Sequence, residues 1–152
     1  MPAARRRIRW CVSVSSKISN PTREYNRKAL RLTLRTCSVA GTPADYRRFI
    51  QGSKAEFGIA KSGYVLSRCG WFSDRSVCYL ASGRPVLAQE TGFSRWLPTG
   101  EGLFAFQNMD DALAGIEAMN GDYARHARAA RALAEEHFDS DKVLPRLLEE
   151  FA

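Results

Sequence analysis

Two short stretches hold the side chains best suited to chemistry. The first, Lys61–Arg75, contains Lys61, Arg68 and Arg75 together with Ser73 and Asp74. The second, Glu90-Thr91-Gly92-Phe93-Ser94, sets a glycine between two hydroxyl residues. Lysine and arginine bind oxyanions through charge-assisted hydrogen bonds. Ser73 reads as the cap of a helix, and the free amides and dipole at such an end favour an anion. Gly92 lets backbone come close to a ligand, because it has no Cβ. Lys61, Arg68, Ser73, Asp74, Arg75, Thr91, Gly92, Phe93 and Ser94 together describe a phosphate-sized pocket. The same residues also fit a blander reading, in which Gly92 makes a turn and the basic side chains lie in water.

Other chemistries find less support. The four cysteines, Cys11, Cys37, Cys69 and Cys78, form no C-x-x-C pair, and the two histidines, His126 and His137, lie far from them in sequence. Tetrahedral zinc needs tightly spaced ligands, so no metal is expected and the thiols read as reduced. No apolar run approaches the ~18 residues that span a bilayer, and the expected location is cytoplasmic. The net charge of +7 is unevenly placed. Residues 1–36 hold ten of the 23 lysines and arginines but only one acid, Glu24, leaving the rest of the chain at −2. The basic character belongs to a tail, and nucleic acid is not an expected partner of the domain.

The chain from residue 43 onward supplies elements to position these groups. Thr42-Pro43 caps a helix with Tyr46, Phe49 and Ile50 on one face. Phe57–Ala60 makes a short buried strand, and Lys61–Phe72 a loop. A helix runs from Ser73 to Ser82 with Val77, Leu80 and Ala81 inward, stopped by Gly83. Strands follow at Val86–Ala88 and Gly102–Phe106, separated by the loop Glu90–Glu101. Asn108 caps a helix with Leu113, Ile116 and Met119 inward; Tyr123–His137 forms another. A last helix from Ser140 or Asp141 carries Val143, Leu144, Leu147, Leu148 and Phe151. Alternating strands and helices predict an α/β fold, a Rossmann-like three-layer parallel sheet over residues 43–152. In such sheets ligands bind at the C-terminal ends of the strands, where both loops would lie. Residues 1–36 show no sustained period and are expected to be a basic, disordered tail.

One run is more specific. Gly70-Trp71-Phe72-Ser73-Asp74-Arg75-Ser76-Val77-Cys78-Tyr79-Leu80-Ala81-Ser82-Gly83-Arg84-Pro85-Val86-Leu87 resembles the pattern of glycosyltransferases with the GT-B fold. There a glycine-rich turn opens a helix that ends in Ala-x-Gly-x-Pro-Val and a strand. Thr91-Gly92-Phe93-Ser94 falls where that family has a Gly-Gly loop, and Gly100-Glu101-Gly102-Leu103 matches the turn and strand beyond it. The wider run, with Tyr64 and Leu97-Pro98-Thr99-Gly100-Glu101-Gly102, is similar to a bacterial branch labelled glycosyltransferase family 1. The likeness covers residues 43–150. Retaining members carry two glutamates that hold the donor sugar and ribose; here those positions hold Gly70 and Cys78, with Asp74 and Arg75 nearby.

The resemblance implies the C-terminal, donor-binding half of a GT-B glycosyltransferase. Its ligand would be a nucleoside-diphosphate sugar, with loop amides and Arg/Lys charge on the diphosphate and no metal. The acceptor site of that fold belongs to an N-terminal domain, so the chain would bind better than it turns over. A separate acceptor-domain chain would be its partner. A rival expectation is a non-catalytic α/β module whose basic tail takes nucleic acid or an acidic protein.

Overall fold

The computed structural model describes residues 10–14 and 41–150. Strand β1, Trp10–Val14, pairs in parallel with β2, Ala55–Ile59, and β3, Val86–Gln89, and β4, Leu103–Phe106, complete a four-stranded sheet in the order β1-β2-β3-β4. All three pairings are parallel. The fold is therefore α/β with a parallel sheet, as the strand–helix alternation predicts. Trp10–Val14 departs from the expectation for residues 1–36, because it forms five register pairs with β2. Its alternation, Trp10, Val12 and Val14 against Cys11 and Ser13, lasts only five residues in a stretch with no sustained period, so it does not stand out until a neighbouring strand takes up its backbone groups. The other residues of that tail lie outside the described ones.

Alternation along the strands sorts side chains into two faces. Val86, Ala88 and Leu103 face one side, where they pack with Ile50, Tyr79, Leu80, Phe93, Leu97, Ala130 and Leu133. That face is covered by helices α1 (Pro43–Gln51), α3 (Asp74–Ala81) and α5 (Tyr123–His137). Ala55, Leu87, Phe104 and Phe106 face the other side, under Ala112 and Met119 of α4, Met109–Gly121. Helices thus cover both faces of the sheet, giving three layers. Helices α1, before β2, and α3, between β2 and β3, both lie on the first face. The sheet as described has no point at which the strand order reverses, which is where dinucleotide-binding sheets open their crevice.

Local rules place most helix ends where they were expected. Thr42 Oγ1 accepts the Asp45 amide at 3.1 Å, Asn108 accepts from Asp111, and Asp122 accepts from Arg125. Gly83, at φ +63°, follows the end of α3. The expected loop Lys61–Phe72 contains instead a one-and-a-half-turn helix α2, Ser62–Ser67, with no buried residue, too short to show a period. It ends at Arg68 in the left-handed region, φ 48°. The inward faces also differ in detail. In α3 the buried residues are Ser76, Tyr79 and Leu80, with Val77 and Ala81 only half-buried. In α4 they are Ala112, Gly115 and Met119, and Leu113 is exposed. The small residues face inward there because α4 lies close on the sheet: a Cβ on Gly115 would stand 2.9 Å from Leu87 Cδ1. The last helix, α6 (Ser140–Glu149), buries none of its residues, and Val143, Leu144, Leu147 and Leu148 are exposed.

Candidate functional site

An open cleft of about 300 Å³ lies at the C-terminal ends of β2 and β3, against the start of α3. Its sides are Gly58 and Ile59 at the end of β2 with Ala60 just beyond, Ala88 and Gln89 from β3, and the cap Ser73 with Arg75 and Ser76 of α3; Trp71, Phe72 and Phe93 close it. The room inside it is small, about 20 Å³, enough for roughly one water. The cleft is a shallow depression. It forms here because the strands end while the helix begins: Gly58 has no side chain, Ala60 and Ala88 have short ones, and α3 stands beside them. Gln89 Oε1 accepts the Ala60 amide at 3.2 Å and ties the two strand ends together.

Among the described residues Arg75 is the one charged residue in the cleft wall. Its Nε donates to Glu56 Oε1 at 2.8 Å, and Glu56, on β2, is fully buried. Glu56 points to the α3 face, like Gly58 two residues on, and a Cβ on Gly58 would stand 4.0 Å from Glu56 Oε1. The other oxygen, Oε2, has no hydrogen-bond partner among the described residues. Glu56 lies one residue before the apolar run Phe57–Ala60 and so falls outside the candidates the sequence offers. A glutamate within two residues of a glycine inside a buried strand was the available signal, since a buried carboxylate needs a cation.

Three of the nine residues singled out from the sequence line this cleft: Ser73, Arg75 and Phe93. Ser73 is the N-cap residue, but its hydroxyl donates to Asp74 Oδ1 at 3.3 Å and makes no cap bond to the helix backbone. Asp74 accepts the Arg75 amide at 2.8 Å, so its carboxylate already occupies part of the helix N-terminus. Lys61 caps α2 with its Nζ 5.8 Å from the Tyr64 ring centroid, and Arg68 is exposed at the end of that helix; neither lines the cleft.

The Thr91–Ser94 loop has a different job from the one expected. Thr91 is buried, and its hydroxyl donates to the Trp71 carbonyl at 2.5 Å. The Thr91 carbonyl accepts the Gly70 amide at 2.8 Å. Gly92, at φ +100°, passes so close to the preceding loop that a Cβ would stand 2.6 Å from the Arg68 carbonyl oxygen. Its amide donates to the buried Glu90 carboxylate. The glycine therefore allows two loops to meet, and its N–H is taken by protein. Phe93 turns inward to the core, and Ser94 is exposed outside the cleft wall.

The aromatic residues anchor the loops. Trp71 lines the cleft and stacks on Tyr64 with centroids 5.0 Å apart. Trp96 donates from Nε1 to the Gly70 carbonyl at 3.2 Å and packs edge-on against Phe72 and Phe138. His126 is buried far from this cleft in role: its Nδ1 accepts the Gly102 amide at 3.4 Å and its ring meets Phe104. Glu101 is ion-paired with Arg125, which holds its carboxyl below the usual range. Burial, then the charges of Asp74 and Glu56, push the Cys78 thiol up. Cys69 and Cys78 are free thiols. Among the described residues no group of His, Cys, Asp or Glu could hold a metal ion, and the triplet Asp139-Ser140-Asp141 is spent on the α6 cap. No helix of the described residues is long and apolar enough to cross a membrane.

No family model, curated protein or solved structure matches the chain.

Proposed function

We propose that this α/β unit is the donor-binding part of a glycosyltransferase, taking a nucleoside-diphosphate sugar in the cleft between β2, β3 and α3. The observation that carries the reading is Arg75, the second residue of α3, standing in the wall of a cleft at the C-terminal ends of parallel strands. A guanidinium beside a helix N-terminus favours an oxyanion, and strand ends are where such sheets present ligands. The resemblance of Gly70–Leu87 to GT-B enzymes names the ligand class. The stretch it covers is the one that builds the α3 side of the cleft and β3.

The geometry also bears on turnover. Among the described residues Arg75 is the only ionisable side chain in the cleft wall, and neither histidine lines it. Transfer needs a donor and acceptor held together away from water, with a base for the acceptor hydroxyl where the mechanism calls for one. A shallow wall with one arginine supplies donor electrostatics only. The acceptor side would come from another domain or chain facing the cleft.

Calorimetric titration with UDP, GDP and ADP tests the proposal. One of them binds, and Arg75→Ala weakens it by about 1–3 kcal/mol, the range for a hydrogen bond to a charged group. No binding at millimolar ligand, or equal affinity in the variant, removes the assignment. Assays with radiolabelled nucleotide sugars and a panel of acceptors should show no acceptor-dependent transfer by this chain alone. Robust transfer abolished by Arg75→Ala would mean that the chain builds a complete site.

A further inference from the structure

Glu56 is costly where it stands. Its carboxylate is wholly removed from water, one oxygen receives Arg75 Nε at 2.8 Å, and the other receives nothing among the described residues. An apolar residue would fill a strand position facing α3 without that desolvation penalty. The compensation lies in what the carboxylate does to its partner. Arg75 reaches from the first turn of α3 to the middle of β2, is anchored there through Nε, and still has a side chain 32% exposed at the cleft. A guanidinium is planar and its donors are fixed in a fork, so fixing Nε fixes the direction of the whole group. Gly58 leaves the space between Glu56 and the cleft unfilled by any side chain of β2.

We propose that Glu56 is the positioning residue of this cleft, a buried carboxylate that grips Arg75 by Nε and sets the direction in which its guanidinium meets an oxyanion. The inference rests on the oxyanion-binding reading given above. It has an electrostatic corollary. With Glu56 ionised, the pair contributes no net charge, so the cleft reads a ligand by hydrogen-bond direction and exerts little long-range pull. Phosphate binding by Arg75 in the wild-type protein then depends only weakly on salt.

Two substitutions at one position separate grip from charge. Glu56→Gln keeps an oxygen for Arg75 Nε and removes the countercharge. Glu56→Leu removes both, and replacing a buried ionic group by an apolar one of similar volume need not unfold the protein. The probes are inorganic pyrophosphate and UDP, titrated calorimetrically at two salt concentrations. Glu56→Gln should bind pyrophosphate at least as tightly as wild type, with a steeper salt dependence. Glu56→Leu should bind at least tenfold more weakly, although it carries the same net charge. A residue that mattered only for stability would move both variants the same way. If both bind more tightly, charge alone is at work; if Glu56→Leu matches wild type while Arg75→Ala does not bind, the site stands and the positioning role is wrong. Failure of the wild-type protein to bind either probe overturns the reading itself, and the inference with it. The Arg75 Nε–H resonance gives a readout without ligand. It should exchange slowly in wild type and Glu56→Gln and rapidly in Glu56→Leu; rapid exchange in wild type would show that no grip exists.

Discussion

Replacing Gly102 by alanine should be among the most damaging single-methyl changes in this protein, and Gly100→Ala is its natural control. Both glycines have positive φ, +107° at Gly100 and +74° at Gly102. An alanine forced into such a conformation costs roughly 1–2 kcal/mol at either position. Only Gly102 adds a steric term. A Cβ there would lie 2.3 Å from Ala130 N, 2.7 Å from Ala130 Cα and 2.8 Å from the Ala129 carbonyl carbon, whereas Gly100 has nothing within 4 Å. Carbon contacts are comfortable at about 3.5–4.0 Å, so α5 would have to retreat by about an ångström. It carries Ala130, Leu133 and Ala134 in the core, and its His126 accepts the Gly102 amide. Overpacking of this kind costs about 1–3 kcal/mol. Gly102→Ala should therefore lose about 2–5 kcal/mol, against about 1–2 for Gly100→Ala. Urea unfolding followed by circular dichroism and by tryptophan fluorescence measures both, coincident transitions licensing the two-state treatment. In a thermal scan the larger loss corresponds to a midpoint lower by roughly 5–20 °C for a chain of this size. If the two variants agree within about 0.5 kcal/mol, the close passage of β4 beneath α5 is wrong.

Met119→Ala should cost about 2–5 kcal/mol in the same urea assay, because Met119, on the sheet-facing side of α4, is fully buried on the less heavily covered face; a loss below 1 kcal/mol would mean that α4 does not seal that face. Deleting residues 1–14 should lower the thermal midpoint and promote self-association, since it strips five paired positions from the edge of β2; light scattering and a scan check it, and unchanged behaviour would show that Trp10–Val14 is not part of the sheet. Cys78 should react with iodoacetamide more slowly than a small free thiol at pH 8. Its raised pKa leaves less thiolate at that pH, so its rate should still climb above about pH 10, where a free thiol has levelled off. Removing one of the causes in Asp74→Asn should speed the reaction, and mass-spectrometric kinetics that show no change would discount that charge.

Local chemistry was legible in the residues themselves. Thr42-Pro43, Asn108 and Gly83 mark helix ends because capping is settled within four residues. The apolar runs at Val86 and Leu103 mark strands because both of their faces are covered. Arg75 stands in the cleft wall because it lies at the start of α3, a position the Ser73 cap marks locally. What depends on distant chain was not legible. Trp10–Val14 becomes a strand only because β2 offers an edge. Leu113 yields the inner face of α4 to Gly115, because the spacing between helix and sheet is set by Leu87 and Phe104. Gly92 lets the chain pass the Arg68 carbonyl, twenty-four residues earlier, where a Cβ would clash, and Glu90 claims its amide. Glu56 gains its meaning from Arg75, nineteen residues later in sequence and 2.8 Å away in space. Periodicity and capping act over one or two turns of chain, whereas a buried charge is defined by whichever partner the fold brings to it.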